Sequence, residues 1–168
     1  VPKKYFEKYP LDEIVLPDTK INDRNDLPEL GKRFARERYS ASWGTDLNEG
    51  IQDHDLVLKY DQWKKGVQAY LASISFVDNY IGELLEELQN SEYADNTIVI
   101  LWGDHGWHLG EKQHWRKQAL WEDTTHVPFI VSYPRKIKKN KICEAPVSFI
   151  DIYPTLVDLA GISKKENL

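Results

Sequence analysis

ADNTIVILWGDHGWHLGEKQHWRK, residues 94–117, falls into two halves of opposite chemistry. The first half, TIVILW, is a short β-branched run that follows the turn formers of YADNT. Such a run predicts a buried strand. From Gly103 onward the stretch turns polar and carries three histidines, an aspartate and several cations. In α/β sheets ligand sites gather in loops beyond the C-terminal ends of strands, so residues 104–117 stand where a site belongs.

Upstream, Val67, Tyr70, Leu71, Ile74, Val77, Ile81, Leu84, Leu85 and Leu88 recur at three- and four-residue spacing. That spacing predicts one long amphipathic helix from Leu56 to about Asn90. Asp78 falls on its apolar face, where an ionised carboxylate needs partners, and reads as a buried acid bonded to nearby backbone. Residues 1–55 are broken by Pro2, Pro10, Pro17 and Pro28 and predict loops and short helices. Downstream, QALWEDTTH predicts a helix, and VPFIVSYP a second strand closed by Pro134. The basic run RKIKKNK reads as a solvated turn. EAPVSFIDIYPTLVDLAG predicts a strand or loop, an N-cap at Asp151 and an amphipathic helix ending at Gly161. Strands alternating with helices predict an α/β fold with a parallel or mixed sheet.

Composition narrows the function. With 168 residues and 41% hydrophobic content the chain suffices for one domain-sized core. Its 22 Lys and Arg against 27 Asp and Glu leave a formal charge of −5, which argues against a nucleic-acid surface. The single cysteine, Cys143, excludes an internal disulfide and a cysteine-based zinc site. No apolar run is long enough to predict a membrane span. The chain contains no Met and reads as a piece of a longer protein.

The loop's residue types admit a metal and an anion, beside a plain polar turn. Asp104 and His105 are adjacent and flanked by Gly103 and Gly106, so a sharp turn can aim both side chains at one point. The carboxylate favours Ca²⁺ or Mg²⁺, the imidazole Zn²⁺ or Mn²⁺, and a hydrogen-bonded strand-end turn explains the pair as well. His108, His114, Arg116 and Lys117 offer donors suited to a sulfate or phosphate ester, or else form a solvated charged loop. Trp102, Trp107, Trp115 and Trp121 suit a sugar-stacking wall, a core or a lid.

These motifs, with THVPFIVSYP, FIDIYPTLVDLAG and the YLASISFVDNYIGELL segment, resemble the type I sulfatases of the alkaline phosphatase superfamily, above all their iduronate-2-sulfatase-like branch. The resemblance runs from about Tyr70 to Gly161. It implies an alkaline-phosphatase-like fold, α/β with a mixed, largely parallel sheet flanked by helices, of which residues 1–168 are a fragment. Within it, 1–55 are irregular and 56–161 carry the late metal-binding motif. It implies that Asp104 and His105 ligate a divalent cation, usually Ca²⁺, and that Lys117 contacts the substrate sulfate. Trp107 matches an aromatic position beside the substrate pocket, and His108 and His114 are pocket candidates.

The sulfatase nucleophile is a formylglycine made within a Cys/Ser-x-Pro/Ala-x-Arg motif. CEAPV at Cys143 has Val147 in place of the arginine, so the nucleophile and the remaining metal and sulfate ligands are expected upstream of residue 1. The implied activity is hydrolysis of a sulfate ester on a carbohydrate, in an extracytoplasmic compartment. A phosphoryl or phosphonate ester hydrolase of the same superfamily is the alternative enzyme. A catalytically inert fragment or carbohydrate-binding homologue is the non-enzymatic one. A piece lacking the N-terminal part of its own domain is expected to expose apolar surface.

Overall fold

A computed structural model describes residues 1–35, 52–138 and 140–163. The chain forms two units, Val1–Arg135 and Lys136–Leu168.

The first unit starts with two short helices, α1 (Lys3–Phe6) and α2 (Glu29–Ala35), linked by turns as the prolines predict. The single long helix expected next is in fact two, α3 (Asp53–Lys59) and α4 (Trp63–Gln89). They part at Asp61, whose φ of 50° lies in the left-handed region that Asp tolerates better than most residues. A capping box between Gln52 and Asp55 fixes the start of α3.

α4 runs for 27 residues and is the organising element of the unit. Along its first half Val67 and Ala72 are buried. Helix α1 docks there through Tyr5, buried and edge-on to Phe76 at 5.4 Å between ring centroids. Polar ties reinforce the contact, with Tyr9 Oη 2.6 Å from Ser75 Oγ and Gln68 Nε2 donating to the Tyr9 carbonyl at 2.7 Å. Farther along, Ile74, Val77, Tyr80 and Leu84 are each at least half exposed. Asp78 is exposed as well, contrary to its reading as a buried acid, because this part of α4 lies open to solvent.

A 3₁₀ turn at Ala94–Asn96 leads into β1 (Val99–Trp102). The loop contains a small hairpin of β2 (His108–Leu109) and β3 (Trp115–Arg116), then α5 (Glu122–Thr125), and the chain returns as β4 (Phe129–Ser132). β1 pairs with β4 antiparallel, from Val99 opposite Ser132 to Trp102 opposite Phe129. Gly103 N–H donates to the Pro128 carbonyl at 3.0 Å and carries the ladder one step further. Both predicted strands exist, and their mutual pairing is antiparallel. β1 is only partly buried, with Trp102 46% exposed. The helix predicted over QALWEDTTH shrinks to α5, because a tight turn from Lys117 to Ala119 and an extended Trp121 precede it.

In the second unit a 3₁₀ turn, Phe149–Asp151, opens α6 (Ile152–Ala160). Asp151 makes no side-chain cap bond, contrary to its predicted role. Gly161 ends the helix as predicted, at φ 67°. The Ile162 N–H donates back to the Val157 carbonyl at 3.0 Å, the backbone pattern that a left-handed glycine permits.

Candidate metal and anion site

The loop after β1 is laced to α5 by its backbone. Gly106 N–H donates to the Thr124 carbonyl and Trp107 N–H to the Asp123 carbonyl, both at 2.8 Å. A Cβ at position 106 would lie 2.0 Å from the Asp123 carbonyl oxygen. Glycine is needed there for close approach of two backbones, and neither Gly103 nor Gly106 takes the positive φ of a sharp turn.

The hairpin beyond is anchored on α4. The Trp63 indole N–H donates to the Leu109 carbonyl at 2.7 Å, and the next residue, Gly110, takes φ 118° with its α-carbon against the same indole. The Glu111 carboxylate accepts the Leu109 N–H at 2.6 Å. Lys112, Gln113 and Arg116 all adopt left-handed φ, at 52°, 56° and 70°. Each such residue costs roughly 1–2 kcal/mol, so outside contacts must hold it. Lys112 Nζ lies 3.2 Å from Asp23 Oδ1, the Arg24 guanidinium donates to the Gln113 side-chain carbonyl, and Arg116 pairs with Asp53 at 3.2 Å. Strained loop residues thus draw their support from elements far away in sequence.

Asp104, His105 and Lys117 meet at one corner. The His105 Nδ1 is 2.9 Å from the Gly106 carbonyl oxygen, which can only accept, so this ring nitrogen carries a proton, and the Lys117 ammonium beside Nε2 can only donate, so Nε2 faces it with its lone pair. Asp104 Oδ2 is 3.1 Å from that Nε2, and Lys117 Nζ donates to it at 3.0 Å. Asp104 is largely exposed, its side chain at 79%, and His105 is partly covered. A carboxylate oxygen and an imidazole lone pair this close repel unless positive charge lies between or beside them. Lys117 supplies that charge here, and the same donor set could serve a divalent cation as two of its ligands. It is incomplete by itself, since no group of three or more His, Cys, Asp or Glu converges among the described residues.

Rings continue from this corner. His105 lies near-parallel to Trp107 at 6.1 Å and 29°, and Trp107 near-parallel to Tyr70 of α4 at 6.5 Å and 23°.

His108 and His114 lie elsewhere, buried at 0% and 2% exposure, edge-on to each other at 5.0 Å and both against Trp121. Neither ring nitrogen of His108, nor Nε2 of His114, has a hydrogen-bond partner among the described residues. Burial pushes the pKa of His108 below the ordinary histidine value, against the opposing pull of Asp123 and Glu111 at 3.8–3.9 Å. Burial, reinforced by the neighbouring His108, pushes His114 down to about 4. Both are neutral at neutral pH. A third buried histidine, His54 of α3, accepts the Trp115 indole N–H at 3.2 Å and is pushed down by its burial as well.

The sequence matches the sulfatase family over residues 2–162. The chain belongs to the sulfatase family. It is 43% identical to a sulfatase of Formosa agariphila, over 96% of this chain and 30% of that protein. To the human iduronate 2-sulfatase it is 33% identical, over 96% of this chain and 33% of that enzyme. A phosphonate monoester hydrolase from Silicibacter pomeroyi shares the fold, with a TM-score of 0.74 at 22% identity over 95% of this chain and 31% of that one. The chain thus has the alkaline-phosphatase-like α/β fold expected from its sequence, and it spans about a third of the length of the curated relatives it matches.

In this sulfatase chain the polar corner joins three residues that sequence reasoning singled out. His108 and His114 pack behind the loop surface, and Trp107 joins a ring stack. Sequence reasoning assigned no site role to Tyr70, Trp63, His54, Glu111 or Asp123. Only the spacing of Trp63, Gly66 and Tyr70 on one helix face carried a signal of the support they give.

Proposed function

We propose that this chain forms part of a sulfuric ester hydrolase acting on a sulfated carbohydrate. The observation that carries the reading is the convergence of Asp104, His105 and Lys117, within 3.1 Å along each contact, in a chain that belongs to the sulfatase family. Asp104 Oδ2 and His105 Nε2 would supply two ligands to a divalent cation, Ca²⁺ in our reading ahead of Zn²⁺, Mn²⁺ or Mg²⁺, with further ligands outside this chain. The bound cation would offset negative charge on the sulfuryl oxygens.

The chain's own residues orient these groups. The Nδ1–H bond to Gly106 holds the His105 tautomer so that Nε2 faces the corner. Lys117 brings a fixed positive charge to the same place and binds the sulfate anion, a preorganised contribution where charge is held. Trp107 borders the substrate in this reading, whereas His108 and His114, buried beneath the loop, support it from within and do not reach the substrate. The formylglycine nucleophile and the acid that protonates the leaving alcohol lie outside the chain.

The similarity to a human iduronate 2-sulfatase supports a sulfated sugar as the substrate class, and an extracytoplasmic site of action goes with that reading. Among the described residues no helix is long and apolar enough to cross a membrane. The fold shared with a phosphonate monoester hydrolase speaks only to architecture. The test is a comparison of turnover by the full-length protein on aryl sulfate and aryl phosphonate esters. Preferred hydrolysis of the sulfate ester is expected, and preference for the phosphonate would overturn the reading.

A further inference from the structure

Three residues of α4 touch the candidate site loop, and they fall on one stripe. Trp63 holds Leu109 and abuts Gly110, while Gly66 leaves room for the Trp115 ring, 3.3 Å from where its Cβ would be. Tyr70, one further turn along, stacks near-parallel to Trp107. Positions i, i+3 and i+7 share a helix face, so one rigid element meets the loop at three successive points. Of the three, only Tyr70 leads to the polar corner, because Trp107 in turn stacks near-parallel to His105.

We propose that Tyr70 is a positioning residue for the metal-ligand pair, acting through Trp107 to fix the plane of the His105 imidazole. The Nδ1–H bond to Gly106 and the Lys117 contact at Nε2 fix the tautomer, but hydrogen bonds tolerate misalignment and leave the tilt of the ring about Cβ–Cγ incompletely set. A near-parallel neighbour on the ring face removes that freedom. Trp107 can serve only if its own ring is held, and its backbone bond to Asp123 does not hold the ring. Tyr70 does, from a helix whose buried Val67 and Ala72 tie it to the core. The role belongs to the ring plane and not to the hydroxyl, so phenylalanine should replace tyrosine in full. This inference rests on Asp104 and His105 being metal ligands.

The test uses the full-length enzyme labelled with 5-fluorotryptophan, with the Trp107 resonance assigned by its loss in Trp107→Phe. Ca²⁺ titration by calorimetry is the second readout. Tyr70→Leu is expected to move the Trp107 fluorine resonance and to weaken Ca²⁺ binding roughly tenfold, the scale of losses when a ligand's supporting partner is removed. Tyr70→Phe is expected to restore both. Should Tyr70→Leu fail to fold, Trp107→Phe against Trp107→Leu makes the same comparison on Ca²⁺ affinity, with only the leucine variant weakened. Unchanged Ca²⁺ affinity in the leucine variants, while Asp104→Ala loses Ca²⁺, overturns the positioning role alone. Ca²⁺ affinity unaffected by Asp104→Ala overturns the metal-pair reading beneath it.

Discussion

Asp104 and His105 are adjacent in sequence, yet the turn that carries them rests on a contact neither of them makes. Gly106 approaches the Asp123 backbone so closely that any side chain would collide with it. Gly106→Ala is therefore expected to destabilise the fold by about 1–3 kcal/mol, the usual scale of overpacking, and to weaken cation binding with it. Denaturant unfolding followed by circular dichroism checks the first effect, and an unfolding curve unchanged from the parent would refute it. The dipeptide was singled out in the sequence by residue type and flanking glycines, and the lysine's role by the family resemblance; their meeting at one corner is what the structure adds. The reason for Gly106 was not legible, since a spacing argument sees a turn and cannot see a backbone arriving from residue 123. His114 shows the same gap. Its candidacy rested on residue type, while its burial, and hence its neutrality, comes from packing against His108 and Trp121.

That burial carries a pH dependence whose sign is fixed. Folded His114 stays neutral down to about 4, whereas the unfolded chain takes up its proton near the ordinary value of about 6.5. Between these values the unfolded state binds more protons, so the contribution is complete above about 6.5 and is lost as pH falls towards 4. His108 and His54 shift in the same direction and steepen the loss. Unfolding free energy measured across this window should fall with pH, and His114→Phe should flatten the slope. A slope identical in that variant would contradict the account.

At the scale of elements, α4 and the loop form the working pair. Trp63→Phe removes the N–H that the Leu109 carbonyl accepts and keeps most of the ring. The expected cost is about 1 kcal/mol, with a larger share of the effect felt in the hairpin than in the β1–β4 ladder. Hydrogen exchange resolves the two, and equal loss of protection in both would speak against a local anchor. The helix itself was legible from its apolar spacing, and so were both strands and the stop at Gly161. The break at Asp61 was not, because the apolar periodicity continues through it and only the backbone reveals the left-handed residue. The direction of strand pairing was equally hidden. Alternation of strands and helices suggests parallel neighbours, but α5 is a single turn and the chain simply doubles back. Asp78 was misjudged for a related reason, since periodicity identifies a face without saying what covers it.

At the scale of the whole molecule, the exposed face of α4 and the ladder are the features that matter. Ile74, Val77, Tyr80 and Leu84 lie open along the helix, as do Trp102 and Ile130 on the two strands. Apolar exposure was expected from the sequence, without its place. A ladder of two strands is marginal alone, and its relatives are about three times the length of this chain. The 168-residue chain by itself is expected to bind a hydrophobic dye and to associate, and Val77→Glu should reduce both; a monodisperse, dye-silent chain would argue against an uncovered face. What this scaffold presents is the corner of Asp104, His105 and Lys117. The most direct test of its metal-binding role is a calorimetric Ca²⁺ titration of the full-length protein, with arylsulfate turnover measured on the same samples, for the parent and for Asp104→Ala. We predict that the substitution abolishes both the binding heat and the turnover. Ca²⁺ binding and turnover retained at the parent's level in Asp104→Ala would contradict the assignment.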